Sequence, residues 1–143
     1  MTWTVHHGDN MAILASLPDA SAHAIVTDPP YGMGDPPDAL EMLRAWLDSG
    51  QLGVQGRGIM GRSWDAFVPQ PAFWRECLRV LKPGGHVVAF ASSRTCDLMA
   101  LGIRIAGFEI RDSLQWLYGS GFPKSERDIT AAMDRNRGDD PRP

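Results

Sequence analysis

The sequence predicts an α/β fold, an open and mostly parallel sheet with flanking helices, and three observations carry that prediction. Short apolar runs of strand length alternate with segments whose apolar residues recur at helical spacing. Proline and glycine sit where those runs end. A chain of 143 residues, 43% hydrophobic and 22% charged, suits one compact domain and excludes disordered, collagen-like and disulfide-stapled classes. Sheets of this kind place their sites at the C-terminal ends of strands, so the residues that follow each apolar run matter most.

Residues 4–7 read as a short strand ending at Gly8-Asp9-Asn10, and Met11, Ile13, Leu14 and Leu17 then mark a helix that Pro18-Asp19 stops. Residues 22–27 are short and largely apolar, as in a strand buried on both faces, and Asp28-Pro29-Pro30 ends them abruptly. Leu40, Leu43, Trp46 and Leu47 define a second helix with Asp38 as its N-cap, followed by a glycine-rich connection over 49–61. The clearest helix spans 71–81. It buries Phe73, Trp74, Cys77, Leu78 and Leu81, turns Arg75, Glu76, Arg79 and Lys82 outward, and is closed by Pro83-Gly84-Gly85. A buried strand over 86–90 leads to a helix capped by Ser92 or Ser93, carrying Leu98, Leu101 and Ile105 and ended by Gly107. Alternation of Phe108, Ile110, Leu114, Trp116 and Tyr118 with polar residues predicts a last, half-exposed strand, and from about residue 125 the chain reads as a polar tail.

Composition narrows the function. No apolar run approaches the roughly 20 residues that cross a bilayer, and residues 1–7 lack signal-peptide character, so the cytoplasm is the default location. Cys77 and Cys96 lie in separate elements and read as reduced thiols. His6, His7, His23 and His86 have no ligand spacing, so no metal is expected. A net charge of −3 argues against a broad phosphate-tracking surface, although Arg57, Arg62, Arg75 and Arg79 cluster around the glycine-rich loop and the helix after it, either as a local basic patch or as a solvated face.

The segment with chemistry in it is Asp28-Pro29-Pro30-Tyr31, followed by Gly32. Consecutive prolines fix φ and remove two N–H donors, leaving a stiff loop of acceptors. A carboxylate beside a proline carbonyl accepts both N–H bonds of an exocyclic amine, and Tyr31 offers a flat face to a heterocycle. The same four residues also make a rigid turn that merely ends a strand.

In its ordered stretches the chain resembles the DNA adenine-N6 and cytosine-N4 methyltransferases, specifically the group whose permuted motif order brings the catalytic tetrapeptide near the N-terminus. The matching stretches run from His7-Gly8-Asp9-Asn10 through Leu17-Pro18-Asp19 to Ile25-Val26-Thr27-Asp28-Pro29-Pro30-Tyr31-Gly32. They continue through Ser63-Trp64-Asp65, the run from Phe73 to Gly85 that ends in Leu81-Lys82-Pro83-Gly84-Gly85, and Gly107-Phe108 to Gly121-Phe122-Pro123-Lys124-Ser125. The resemblance implies a partial Rossmann-like methyltransferase fold, with residues 1–125 as its catalytic, target-base half. It implies that double-stranded DNA is the substrate, that the base is flipped from the stack, and that S-adenosylmethionine donates the methyl group. Asp28 and the Pro29 carbonyl would accept from the target amine, Pro30 would stiffen the loop and Tyr31 would stack on the base; the aspartate form tilts the choice towards adenine-N6. Asp9 would approach the donor's adenine, its other reading being a helix N-cap. Trp64 would border the base pocket, its other reading being a packing anchor, and Lys124 would touch phosphate unless it is merely solvated.

The family's donor-binding turn, Phe-x-Gly-x-Gly, has no counterpart in the chain; Gly53 to Gly61 and Gly119-Ser120-Gly121 lack the strand, turn and helix context of a nucleotide loop. A central strand between the first two strands is also expected to be missing, leaving a gap in the sheet. Three readings follow: an incomplete enzyme, truncated or completed in trans by a second chain that carries the donor loop; an inactive remnant, alone or as a homo-oligomer, acting at most as a DNA-associated module; and a related amine methylase of small molecules, RNA or protein. Restriction, regulation and phage settings stay open.

Overall fold

The computed structural model describes residues 2–35, 37–53, 63–117 and 119. The chain divides into two units, residues 1–111 and 112–143, and the expected boundary at residue 125 lies outside the described residues. The first unit runs α1 (Asn10–Ser16), β1 (Ala22–Thr27), α2 (Ala39–Asp48), a 3-10 turn (Ser63–Asp65), α3 (Pro71–Val80), β2 (Leu81–Ala89) and α4 (Cys96–Ile105). It is an α/β arrangement in which β1 and β2 form a parallel two-stranded sheet with helices beside it. Its core joins Met42 and Trp46 of α2, Phe67 and Val68, Trp74 and Cys77 of α3, Met99 of α4 and Ala106. Burial pushes the Cys77 thiol up to about 11, with Glu76 adding to the shift, which keeps it protonated and inert. Both cysteines are free.

Local chemistry explains most element boundaries. Asp38 caps α2, its carboxylate accepting from the Leu40 and Glu41 amides at 3.0 and 2.9 Å. Pro71 opens α3, where a missing N–H costs nothing. Gly107, at φ 108°, follows α4 in a conformation that suits glycine.

Several expectations need correction. Leu81 to Gly85 does more than close a helix: α3 ends at Val80 and β2 begins at Leu81. The register then jumps from Ala22 against Leu81 to Ala24 against His86, so Pro83, Gly84 and Gly85 loop out as a wide bulge. Gly84 has φ 80°, and a Cβ on Gly85 would lie 2.9 Å from the Lys82 carbonyl oxygen and 3.1 Å from that of His23. Among the described residues, strands β1 and β2 are covered on one face only. Ile25, Val87 and Ala89 pack against the core, whereas Val26, Val88 and Phe90 point out and are 74%, 48% and 45% exposed. Residues 4–7 and 108–117 carry no strand, although both have strand-like sequence. A strand needs a neighbour for its ladder, and among the described residues β1 pairs only with β2. In the second unit Leu114, Trp116 and Leu117 are exposed, so the alternation there builds no buried face.

Arg79 also departs from its expected outward orientation, whether as part of a basic patch or as a solvated face. Its guanidinium donates to the Leu14 and Leu17 carbonyls at 2.7 and 2.9 Å, pairs with Asp19 at 2.5 Å and with Glu76 at 2.9 Å, and so ties the C-terminal end of α1 to α3. Helix α1 has no fully buried residue of its own, so this clamp on carbonyls at its C-terminal end is central to its docking. Arg75 reaches the Ser49 carbonyl at 3.5 Å, while Arg57 and Arg62 lie outside the described residues. Leu78, expected in the core, is 40% exposed.

Candidate active site

Asp28 is the first residue after β1, at the C-terminal end of the sheet. Its side chain is exposed, and among the described residues its carboxylate is engaged by Tyr31 alone, whose hydroxyl donates to Oδ1 at 2.6 Å. That hydrogen bond leads, ahead of burial and the nearby negative charge, in pushing the Tyr31 phenol up to about 12. Pro29 is buried and Pro30 half-buried, which seats the stiff part of the loop in the protein and leaves the acid in solvent.

The loop is fastened from several sides. Just before it, the Phe90 amide donates to the Thr27 carbonyl at 3.0 Å, carrying the β1–β2 ladder to the edge of Asp28. Beyond it, the Met33 amide donates to the Asp65 carbonyl at 3.1 Å. Gly32 has φ 68°, and a Cβ there would meet the Val68 amide nitrogen at 2.8 Å. Gly34 lies so close to Ala66 that a Cβ would meet its carbonyl oxygen at 2.7 Å. From α4 the Thr95 hydroxyl donates to the Tyr31 carbonyl at 2.5 Å. A rigid acceptor loop, held by β2, by residues 65–68 and by the start of α4, therefore presents one carboxylate to solvent.

Gly32→Ala is expected to displace this loop, because an L-residue is strained at that φ and backbone, not a movable side chain, blocks the Cβ. The expected loss is about 1–3 kcal/mol for the backbone conformation alone. Urea unfolding of the variant checks it, and a midpoint equal to wild type would contradict the packing. A second test concerns Tyr31. At about pH 11 roughly a tenth of a phenol with a midpoint near 12 is ionised, against roughly nine tenths at the ordinary value. In a Tyr118→Phe background, phenolate absorbance at that pH should be low for the folded wild type and rise sharply in Asp28→Ala. Because the folded-state value is raised, the stabilisation from this bond is complete below about 10 and disappears as pH climbs through about 12.

The remaining expected site residues fall as follows. Asp9 caps α1, Oδ1 accepting from the Ala12 amide at 3.0 Å. Trp64 is 61% exposed, on the 3-10 turn whose Asp65 holds Met33, so it lies beside the loop and is not a packing anchor. Lys124 lies outside the described residues. Thr95 and the Ala66–Val68 seat escaped the sequence reading. A clue was present in Ser92-Ser93-Arg94-Thr95, a polar run after the strand that pairs with β1, since parallel neighbours end at the same edge. Ser92 and Ser93 do not cap α4: Thr95 holds the N-cap position, and Ser92 instead accepts from the Arg94 and Thr95 amides in a turn before it. Among the described residues no cluster of His, Cys, Asp or Glu suits a metal ion, and no helix is long and apolar enough to cross a membrane.

The C-terminal edge of this α/β sheet thus presents a carboxylate followed by two prolines and an aromatic ring. The family follows from comparison: a model for DNA methylases of the N6/N4 type matches residues 22–135, and the chain belongs to that family. It is 30% identical over 122 residues to the DNA adenine methyltransferase YhdJ of Escherichia coli, an alignment covering 82% of this chain and 34% of YhdJ. It is 26% identical over 154 residues to the Type II methyltransferase M.HindIII of Haemophilus influenzae, covering 94% of this chain and 48% of that protein. The chain thus spans about a third to a half of these relatives. No solved structure matches it significantly.

Proposed function

We propose that this chain is the target-base half of a DNA amino-methyltransferase acting on adenine N6 in double-stranded DNA. The observation that carries the reading is the exposed Asp28 carboxylate on a loop stiffened by Pro29 and Pro30 and fastened at both ends. A base inside the duplex cannot bring its amine to such a loop, so the base leaves the stack. Asp28 and the Pro29 carbonyl then accept hydrogen bonds from the two amine N–H groups, which draws the nitrogen lone pair out of conjugation and leaves it free to attack. One of the two protons is lost once the new N–C bond has formed. Fixed acceptors need no reorganisation at the moment of reaction, and positioning with electrostatics supplies most of the effect. Tyr31 stacks on the base, worth roughly 1–3 kcal/mol, and exposed Trp64 borders the same space. Lys124 is assigned to a DNA phosphate. The aspartate at the head of the tetrapeptide and the adenine specificity named for YhdJ both favour adenine over cytosine.

S-adenosylmethionine supplies the methyl group when bound. The described residues do not fit it: β1 runs into the proline loop, β2 runs into the turn over 92–95, and neither leads into a glycine-rich turn opening a helix. No step is therefore assigned to this chain's residues on the donor side beyond a contact from Asp9, whose Oδ1 is already engaged in capping. In this reading a second segment, on the same polypeptide or on a second chain, supplies the donor loop and covers the sheet face on which, among the described residues, Val26, Val88 and Phe90 are exposed. An all-parallel sheet ordinarily has both faces covered.

The test is methyl transfer from labelled S-adenosylmethionine to duplex DNA, by the chain alone and with a companion carrying the donor loop, followed by identification of the modified base. N6-methyladenine formed only with the companion is the expected result. Tight stoichiometric donor binding by the chain alone, measured calorimetrically, would contradict the division of labour.

A further inference from the structure

We propose that Thr95 is a positioning residue for the acceptor loop: by donating its hydroxyl to the Tyr31 carbonyl it fixes the peptide that follows Asp28-Pro29-Pro30-Tyr31 and, through it, the stance of Tyr31 against Asp28. The value of that stance for base methylation rests on the function proposed above; the geometric claim does not.

A threonine at a helix N-cap ordinarily accepts, through its hydroxyl, from an amide in the first turn of its own helix. Thr95 occupies the N-cap of α4 and makes no such bond. Its hydroxyl instead crosses to the Tyr31 carbonyl, linking residues 64 positions apart. The α4 terminus thereby forgoes a cap commonly worth about 1 kcal/mol, and the loop gains a fixed point in return. Thr95 is itself held: its amide donates to the Ser92 carbonyl at 3.1 Å, and Ser92 is 9% exposed. The hydroxyl therefore rests on a turn that is anchored by buried Ser92 just after β2, the strand paired with β1. Without it, the peptide after Tyr31 loses its tie to α4, and the next restraints are Gly32 against Val68 and Met33 on the Asp65 carbonyl. The freed span includes the tyrosine whose hydroxyl engages the catalytic acid.

The ionisation of Tyr31 reports this directly and needs neither donor nor DNA. In the full chain with Tyr118→Phe, the phenolate fraction at about pH 11 is measured by absorbance, with circular dichroism confirming the fold. Thr95→Val keeps the shape and deletes the hydroxyl; it should move the Tyr31 midpoint down from about 12 towards the ordinary 10. Thr95→Ser keeps the hydroxyl and should restore the wild-type value. If Thr95→Val does not fold, Thr95→Ala carries the same expectation. A folded hydroxyl-less variant with the wild-type midpoint overturns the proposal, and so does a Thr95→Ser variant that behaves like Thr95→Val, since the methyl group would then be responsible. Absence of methyl transfer by the wild-type chain together with the companion carrying the donor loop would refute the proposed function and leave this result standing.

Discussion

Asp28→Ala is expected to lower methyl transfer to DNA by at least about a hundredfold to a thousandfold, the range found when one preorganised partner of the reacting group is removed. The side chain is exposed and, among the described residues, bonded to Tyr31 alone, so its loss should lower the melting temperature only by the worth of one exposed hydrogen bond and leave the protein folded. That separation makes the result interpretable: a dead but folded protein points to chemistry at Asp28, not to its contribution to the fold. If the proposed division of labour holds, donor affinity should also stay near wild type, since it assigns no donor contact to Asp28. Asp28→Asn refines the test. It keeps one acceptor oxygen but exchanges the other for an amide donor that opposes the target amine, and it should recover only a small part of the lost rate. The measurement is incorporation of labelled methyl into duplex DNA by the assembly that shows wild-type activity. Unchanged turnover in Asp28→Ala would remove the residue from the mechanism and with it the reading of the proline loop as an amine acceptor.

The parts legible in the sequence are those set by local chemistry. Asp38 and Asp9 announce helix starts, Pro71 opens α3, and an apolar run broken by Asp28-Pro29-Pro30 places the acid at a strand's end; each is decided within a few residues. Trp64 was legible only in part, since sequence put it near the site but could not choose between packing and exposure. What failed depends on partners. Residues 4–7 and 108–117 alternate as strands do, yet alternation describes a face and not the neighbour that must supply the ladder. Val26 and Val88 look like residues buried on both sides because β-branched apolar runs do not state how many layers surround them. Arg79 looks like a solvated helix residue until the fold brings Leu14, Leu17 and Asp19 to its side chain. Thr95 was invisible for the same reason, its partner lying 64 positions away.

Trp74→Ala is expected to destabilise the first unit by about 3–5 kcal/mol, the usual cost of deleting a large aromatic from a packed core. The indole is 0% exposed, meets Phe73 edge to face at 5.0 Å between centroids, and donates from Nε1 to the Pro69 carbonyl at 3.0 Å. The substitution therefore opens a cavity and also leaves a carbonyl without its donor. Against a typical domain stability of about 5–15 kcal/mol the loss is large enough to unfold a substantial share of the protein near physiological temperature. Its reach extends to the site, because Pro69 continues directly from the Ala66–Val68 segment that seats Gly32 and Gly34. The acceptor loop should loosen before the chain unfolds globally, so the raised Tyr31 ionisation should fall at temperatures where helical circular dichroism is still intact. Urea titration gives the stability and phenolate absorbance gives the loop. Trp74→Phe, which retains most of the ring but loses the N–H, should show a smaller loss on both. A Trp74→Ala protein that melts like wild type would mean that the core built from α2, α3 and α4 does not support the loop as described.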